Sequence, residues 1–222
     1  MDMDGSTEIL IIRHGQTEWN VTKRLQGHTD IPLNEKGMEQ ALVLAQTLQK
    51  EKLDAVFSSD LQRARKTAEE IAKWHNLPVQ VDMAFRERSY GAFEGLSREE
   101  IKIRYPESHA AWYAADPDHV FPPGDRPAES IRSFHNRAME SIYGIAGQFT
   151  GKKIVLIAHF GIIESAYRVA HHLPLETRSR VPISNTSINR FLIRENRIEL
   201  LKWGDDDHLE SPQKPVDYLK HF

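Results

Sequence analysis

A chain of 222 residues, 40% hydrophobic and 27% charged, can bury a sizeable core as one large domain or a domain with an inserted lobe. With 29 Lys and Arg against 32 Asp and Glu the net charge is −3, so no basic excess favours nucleic acid or an anionic membrane, and a small soluble molecule is the expected partner. Cysteine is absent, which excludes disulfides, thiolate metal sites and Cys-based phosphatase or protease chemistry. The opening MDMDGSTE is acidic where a secretory signal is basic, and the apolar stretch behind it is too short for a signal core or a span. A cytoplasmic protein is the expectation. The sequence sets no oligomeric state, a dimer being one option.

Along the chain, Glu8 to Ile12 is aliphatic without polar alternation, as a strand buried on both faces of a parallel sheet should be. The polar segment from Gly15 to Leu33 is expected to be a long loop. NEKGMEQALVLAQTLQKE then starts a helix at an Asn34 cap, with Met38, Ala41, Leu42, Ala45 and Leu48 at helical spacing. DAVFSS is a second buried strand, and DLQRARKTAEEIAKWHN a second helix capped by Asp60 with Leu61, Ala64, Ala68 and Ile71 inward. VQVD follows as a short strand, SREEIKIRY as a helix, and Pro106 to Pro127 as irregular chain. That stretch is longer than an ordinary connection and is expected to be part of an inserted lid, about residues 97–128. AESIRSFHNRAMESIYGIAGQF is a third long helix, KKIVLIAH a strong strand and GIIESAYRVAHHL the helix behind it. TSINRFLIRENRIELLKWG alternates and pivots on REN, as an antiparallel edge hairpin would.

Alternating strands and helices imply a three-layer α/β/α sandwich with a mostly parallel central sheet, an antiparallel edge hairpin and the small lid, as a single domain over 1–222. Ligands bind outside the carboxyl ends of such strands. Those positions hold Arg13 and His14 after the first strand, Ser58, Ser59 and Arg63 after the second, and His159 after the third long one. Arginine forks suit phosphate oxygens, and helix amino termini after the second and third strands would add backbone donors, so the cluster suggests a dianion pocket. The other histidines weighed, at 75, 109, 119, 135, 171, 172 and 221, have no comparable setting.

Two acidic motifs carry less. MDMDGST resembles the aspartate pair of aspartyl-phosphate phosphatases, but no buried strand precedes Asp2. DDDHLE, Asp205 to Glu210, suits a solvated turn better than a cation site, and no metal is expected.

LIIRHGQTEWN resembles the signature of the histidine phosphatase superfamily, also called the phosphoglycerate mutase-like family. RLQGHTDIPLNEKGMEQA, SSDLQRARKTA, RERSYGAFEG and VLIAHFG resemble its further motifs, in order, over about residues 8 to 205. The resemblance implies that His14 is the nucleophile, that Arg13, Arg63 and His159 hold the phosphoryl oxygens, and that Glu87 is the proton donor. It adds Asn20 against the phosphate and Gly15 for close backbone approach. Gln26, Ser58 and Phe160 are further substrate-binding candidates, Phe160 as a ring that narrows the pocket or stacks on a substrate unless it faces the core. No cofactor and no metal are implied, since the arginines supply the charge.

The implied activity is a metal-independent phosphomonoesterase with a phosphohistidine intermediate, acting on a small phosphorylated metabolite. A phosphoglycerate mutase is the alternative, and a catalytically weak phospho-ligand sensor or adaptor a more distant one. The phosphatase is favoured because the mutases of the family carry a longer insertion with an arginine pair, whereas only Arg126 occurs between Pro106 and Pro127. Three departures from the family stand out. Phe160 sits where a small residue usually follows the second histidine, Glu164 replaces a commonly basic position, and GDRPAES exceeds the usual GGES turn.

Overall fold

The computed structural model describes residues 5–177 and 181–209. Chain order begins with β1 (Thr7–Arg13), α1 (Glu18–Val21), α2 (Glu35–Leu48), β2 (Ala55–Ser58), α3 (Gln62–His75) and β3 (Val79–Val81). It continues with α4 (Arg98–Arg104), α5 (Pro106–Tyr113), α6 (Ile131–Gln148), β4 (Lys153–Ala158), α7 (Phe160–Ala170), β5 (Ile188–Arg194) and β6 (Arg197–Asp205). The six strands form one sheet in the order β3-β2-β4-β1-β5-β6; the first four are parallel, and β5 and β6 close the far side as an antiparallel hairpin.

Strict alternation along the central strands feeds two cores. Ile9, Ile11, Ile154 and Leu156 point to the face covered by α6 and α7, where Phe134, Ile142, Ile162 and Ile163 are buried. Leu10, Ile12, Val155 and Ile157 point to the opposite face, against Leu44, Leu48, Ala64 and Ile71 of α2 and α3. Burying each of these aliphatic side chains is worth about 1.5–3 kcal/mol, which holds β1 and β4 firmly at the centre of the sheet. A third cluster, Phe93, Ile101 and Phe121 with Trp112 and Tyr105 against it, lies in and around residues 97–128.

Local details depart from the sequence reading in four places. The 15–33 stretch contains α1, nucleated by a reciprocal capping box between Thr17 and Asn20. On α2 the buried stripe is Gly37, Gln40, Ala41, Leu44, Ala45 and Leu48, while Met38 and Leu42 are exposed on a neighbouring face. Asp60 does not cap α3: its carboxylate grips Arg86 at 2.7 and 2.5 Å, and the cap comes from Asp30, which accepts the Gln62 amide at 2.7 Å. Residues 106–127 are not irregular throughout, since α5 starts with Pro106 at its first turn. None of its residues is buried, so no apolar period announced it. Asn34 does cap α2, accepting the Gly37 amide at 2.8 Å.

Candidate active site

The register of the sheet brings two histidines together. Arg13 is paired with Ala158 across β1 and β4, and the His14 amide donates to the Ala158 carbonyl at 3.1 Å. The next residues in each chain direction, His14 and His159, therefore emerge side by side, with ring centroids 5.2 Å apart. Both are almost wholly buried.

His14 Nδ1 lies 2.7 Å from the Gly15 carbonyl oxygen. A carbonyl only accepts, so Nδ1 carries the proton and Nε2 keeps its lone pair. Burial, then Arg63, then Arg13 hold the His14 pKa well below the ordinary 6.5, so the ring is neutral at physiological pH. Burial and the same arginines depress His159 likewise. Neither ring nitrogen of His159 has a hydrogen-bond partner among the described residues, an orphaned buried pair that suits an incoming oxyanion.

The arginines are aimed by backbone carbonyls. Arg13 donates from Nη1 to Ile183 at 2.7 Å; Arg63, fully buried in the first turn of α3, donates to Thr29 at 2.9 Å and Gly27 at 2.8 Å. Burial draws the Arg63 pKa down to about 10, which leaves it charged at neutral pH. Two fixed guanidinium forks beside a neutral imidazole form a site for a dianion.

Glu87 completes the cluster from the loop between Phe85 and Gly91. Its Oε1 accepts the Arg88 amide at 2.8 Å and its Oε2 the Gly161 amide at 3.1 Å. Burial raises its pKa above 4.5, against the pull of those amides and of Arg63 and Arg13. The amino terminus of α7 thus serves the carboxylate, whereas the sequence suggested a donor to the anion. Gly161 has no room for a side chain: a Cβ there would lie 2.4 Å from Glu87 Oε1 and 2.8 Å from the Phe134 ring.

Arg13, His14, Arg63, Glu87 and His159 all line one cavity of about 190 Å³, with Asn20, Gln26 and Phe160. Asn20 Oδ1 accepts from the Thr17 amide and hydroxyl at 3.0 and 3.1 Å. Gln26 Oε1 is buried without a partner among the described residues, and Phe160 lies 6.0 Å from the Arg13 guanidinium carbon. Two expected residues are elsewhere. Gly15 is not on the cavity wall: its amide donates to Thr67 Oγ1 at 3.1 Å, and a Cβ would stand 2.5 Å from the Gly37 carbonyl, so glycine is needed there for contact with α2. Ser58 is buried away from the cavity, its hydroxyl donating to the Ser59 carbonyl at 2.7 Å.

Several wall residues went unrecognised in the sequence. Arg88 is adjacent to Glu87, is buried, and stacks over Phe121 at 4.5 Å; its neighbour in the motif was the available signal. Arg24 bridges to Glu100 at 2.9 Å, joining the 15–33 stretch to α4. Arg98 lies over Trp112 at 5.3 Å on the same wall. Glu164, the acidic departure, has a partner one turn on: it pairs with Arg168, which also donates to Pro174 and Thr177 carbonyls at 2.6 Å each. That i,i+4 pair was legible from spacing.

Among the described residues no group of three or more His, Asp or Glu is arranged to hold a metal, Asp205 to Asp207 included; Glu210 and the opening Met1–Asp4 lie outside them. Among them, too, no helix is long and apolar enough to cross a membrane.

A model of the histidine phosphatase superfamily, branch 1, matches residues 9–206. Phosphoglycerate mutase-like protein 4 of Arabidopsis thaliana is 37% identical over 207 residues, covering 92% of this chain and 87% of that protein. The metal-independent phosphoserine phosphatase of the same plant is 33% identical over 208 residues, covering 92% and 84%. Among solved structures, phosphoserine phosphatase from Entamoeba histolytica in complex with 3-phosphoglyceric acid superposes with a TM-score of 0.80 at 27% identity, covering 91% of this chain and 99% of that one.

Proposed function

Because the chain belongs to the histidine phosphatase superfamily, we propose that it hydrolyses a small phosphomonoester through a phosphohistidine formed on His14. The carrying observation is the Nδ1 bond from His14 to the Gly15 carbonyl, which leaves Nε2 as the nucleophilic atom inside a cluster of two arginines and a second neutral imidazole. With the ester dianion on Arg13, Arg63 and His159, Nε2 attacks phosphorus in line. The bond from phosphorus to the ester oxygen breaks, and the departing oxygen takes the proton of Glu87, whose burial favours its acid form. Water then attacks the phosphohistidine, gives its proton to the Glu87 carboxylate, and releases inorganic phosphate. Charge on the equatorial oxygens is met by guanidinium groups already held in position, which supports a metal-independent reaction.

Phosphoserine and 3-phosphoglycerate are the first substrates to test. The names of the relatives point to them, and Arg24, Arg88 and Arg98 on the cavity wall suit a second anionic group on the leaving side. Residues 97–128 act in this reading as a lid within a single domain, with Arg98, Trp112 and Ala115 as the parts that reach the cavity. A cytoplasmic setting goes with this reading. Turnover of a panel of phosphomonoesters that persists in EDTA and disappears in His14→Ala supports the proposal; phosphate binding without turnover overturns it. The name of the 37% identical relative favours a mutase as second reading, and interconversion of 2- and 3-phosphoglycerate would establish that instead.

A further inference from the structure

Glu87 sits in a segment with neither helix nor strand, so its backbone carbonyls must find partners outside regular structure. One guanidinium supplies two of them, and a third just before the loop. Arg137, on the second turn of α6, donates from Nη1 to the carbonyls of Ala84 at 2.7 Å and Arg86 at 3.1 Å, and from Nη2 to that of Glu87 itself at 3.3 Å. Its remaining donors form a two-point bridge to Glu129, Nε to Oε1 and Nη2 to Oε2, both at 2.8 Å.

Glu129 grips the same segment from the other side. Its Oε2 accepts the Ser89 amide at 2.9 Å, its amide donates to the Ser89 carbonyl at 2.9 Å, and its carbonyl accepts Arg88 Nε at 2.8 Å. His28 Nε2 donates to the Glu87 carbonyl at 2.8 Å. Arg86 and Glu87 are thus bonded to Arg137, and Arg88 and Ser89 to Glu129. Five donors in a rigid plane meet five oxygen contacts, a set that an ammonium cannot reproduce. Neither Arg137 nor Glu129 lines the cavity, so neither is placed to touch a substrate.

We propose that Arg137 and Glu129 are positioning residues that set where the Glu87 carboxyl stands relative to the departing oxygen, joining the acid to α6. The inference rests on the proposed role of Glu87 as proton donor. Its signature is leaving-group dependence: an alkyl phosphate needs the proton, whereas p-nitrophenyl phosphate departs as a stable anion without it.

The test compares kcat/KM, which reports the phosphorylation step, for phosphoserine or 3-phosphoglycerate and for p-nitrophenyl phosphate. Wild type, Glu87→Gln, Arg137→Lys and Glu129→Gln are measured together, with a thermal melt of each; Glu129→Gln carries the test alone if Arg137→Lys fails to fold. The expected result is a loss of about 10–100-fold on the alkyl ester with at most a few-fold loss on the aryl ester, parallel to Glu87→Gln. Equal losses on both esters, or no loss on either, would overturn the positioning role. A Glu87→Gln that loses nothing on either ester, or a wild type inert on both, overturns the functional reading and the positioning role with it.

Discussion

The amide of Gly161 donates to the Glu87 carboxylate at 3.1 Å, so the first turn of α7 binds the side chain expected to supply a proton. A methyl group at position 161 would stand 2.4 Å from Glu87 Oε1 and 2.8 Å from the Phe134 ring, so the Glu87 carboxyl or the ring must shift to admit it. Gly161→Ala is expected to lower kcat/KM for an alkyl phosphate about tenfold or more, with a smaller effect on p-nitrophenyl phosphate. Steady-state kinetics on the two esters check this.

Arg63 combines full burial with two carbonyl acceptors on the 27–29 turn. Arg63→Lys keeps a charge but not the fork, so the turn loses its clamp and the site loses one forked donor. A drop of about 100-fold or more in kcat/KM is expected, for aryl and alkyl esters alike, because charge on the phosphoryl oxygens is common to both. A loss confined to alkyl esters would argue against the assigned role.

Stability should fall on mild acidification. His14 and His159 have native pKa values well below 6.5, the value they regain on unfolding. As pH falls through 6.5 the unfolded chain binds protons that the native site refuses, so stability present above 6.5 is lost below it. The slope is up to about 1.4 kcal/mol per pH unit for each histidine. Glu87 has a raised native pKa and works in the opposite sense, favouring the native state as pH falls through its native value toward 4.5. Melting temperatures across this range should show the decline, and His14→Asn should reduce its slope.

Glu164 and Arg168 form a nearly buried pair on α7, and Arg168 also ties down the Pro174 and Thr177 carbonyls. Glu164→Arg restores the basic residue common at this position and sets like charges one turn apart. A destabilisation of about 3–5 kcal/mol is expected, the cost of breaking a buried pair, and is checked by denaturant unfolding.

What the sequence made legible was whatever depends on local pattern and strand ends. Unbroken aliphatic runs announced β1 and β4, and their shared register made His14 and His159 neighbours; Arg13 and Arg63 followed from their places just beyond strand ends, and Glu87 from its motif. Contacts across long separations were not legible. Asp60 looks like a cap in isolation, but Arg86, 26 residues away, claims its carboxylate. Gly15 looks like a phosphate glycine until Gly37 of α2 is seen to press on it. The carbonyls held by Arg137 leave no trace in residue identity, because any residue at 84 or 86 offers the same carbonyl oxygen.

The whole reaction turns on His14 Nε2 taking the phosphoryl group. Rapid mixing with a phosphomonoester labelled in the phosphoryl group, followed by an alkaline quench and peptide mapping, tests it most directly. The expected result is an acid-labile, base-stable label on the peptide bearing His14, formed and lost at rates consistent with turnover and absent in His14→Ala. Steady turnover with no label on His14, or turnover that survives His14→Ala, would contradict it.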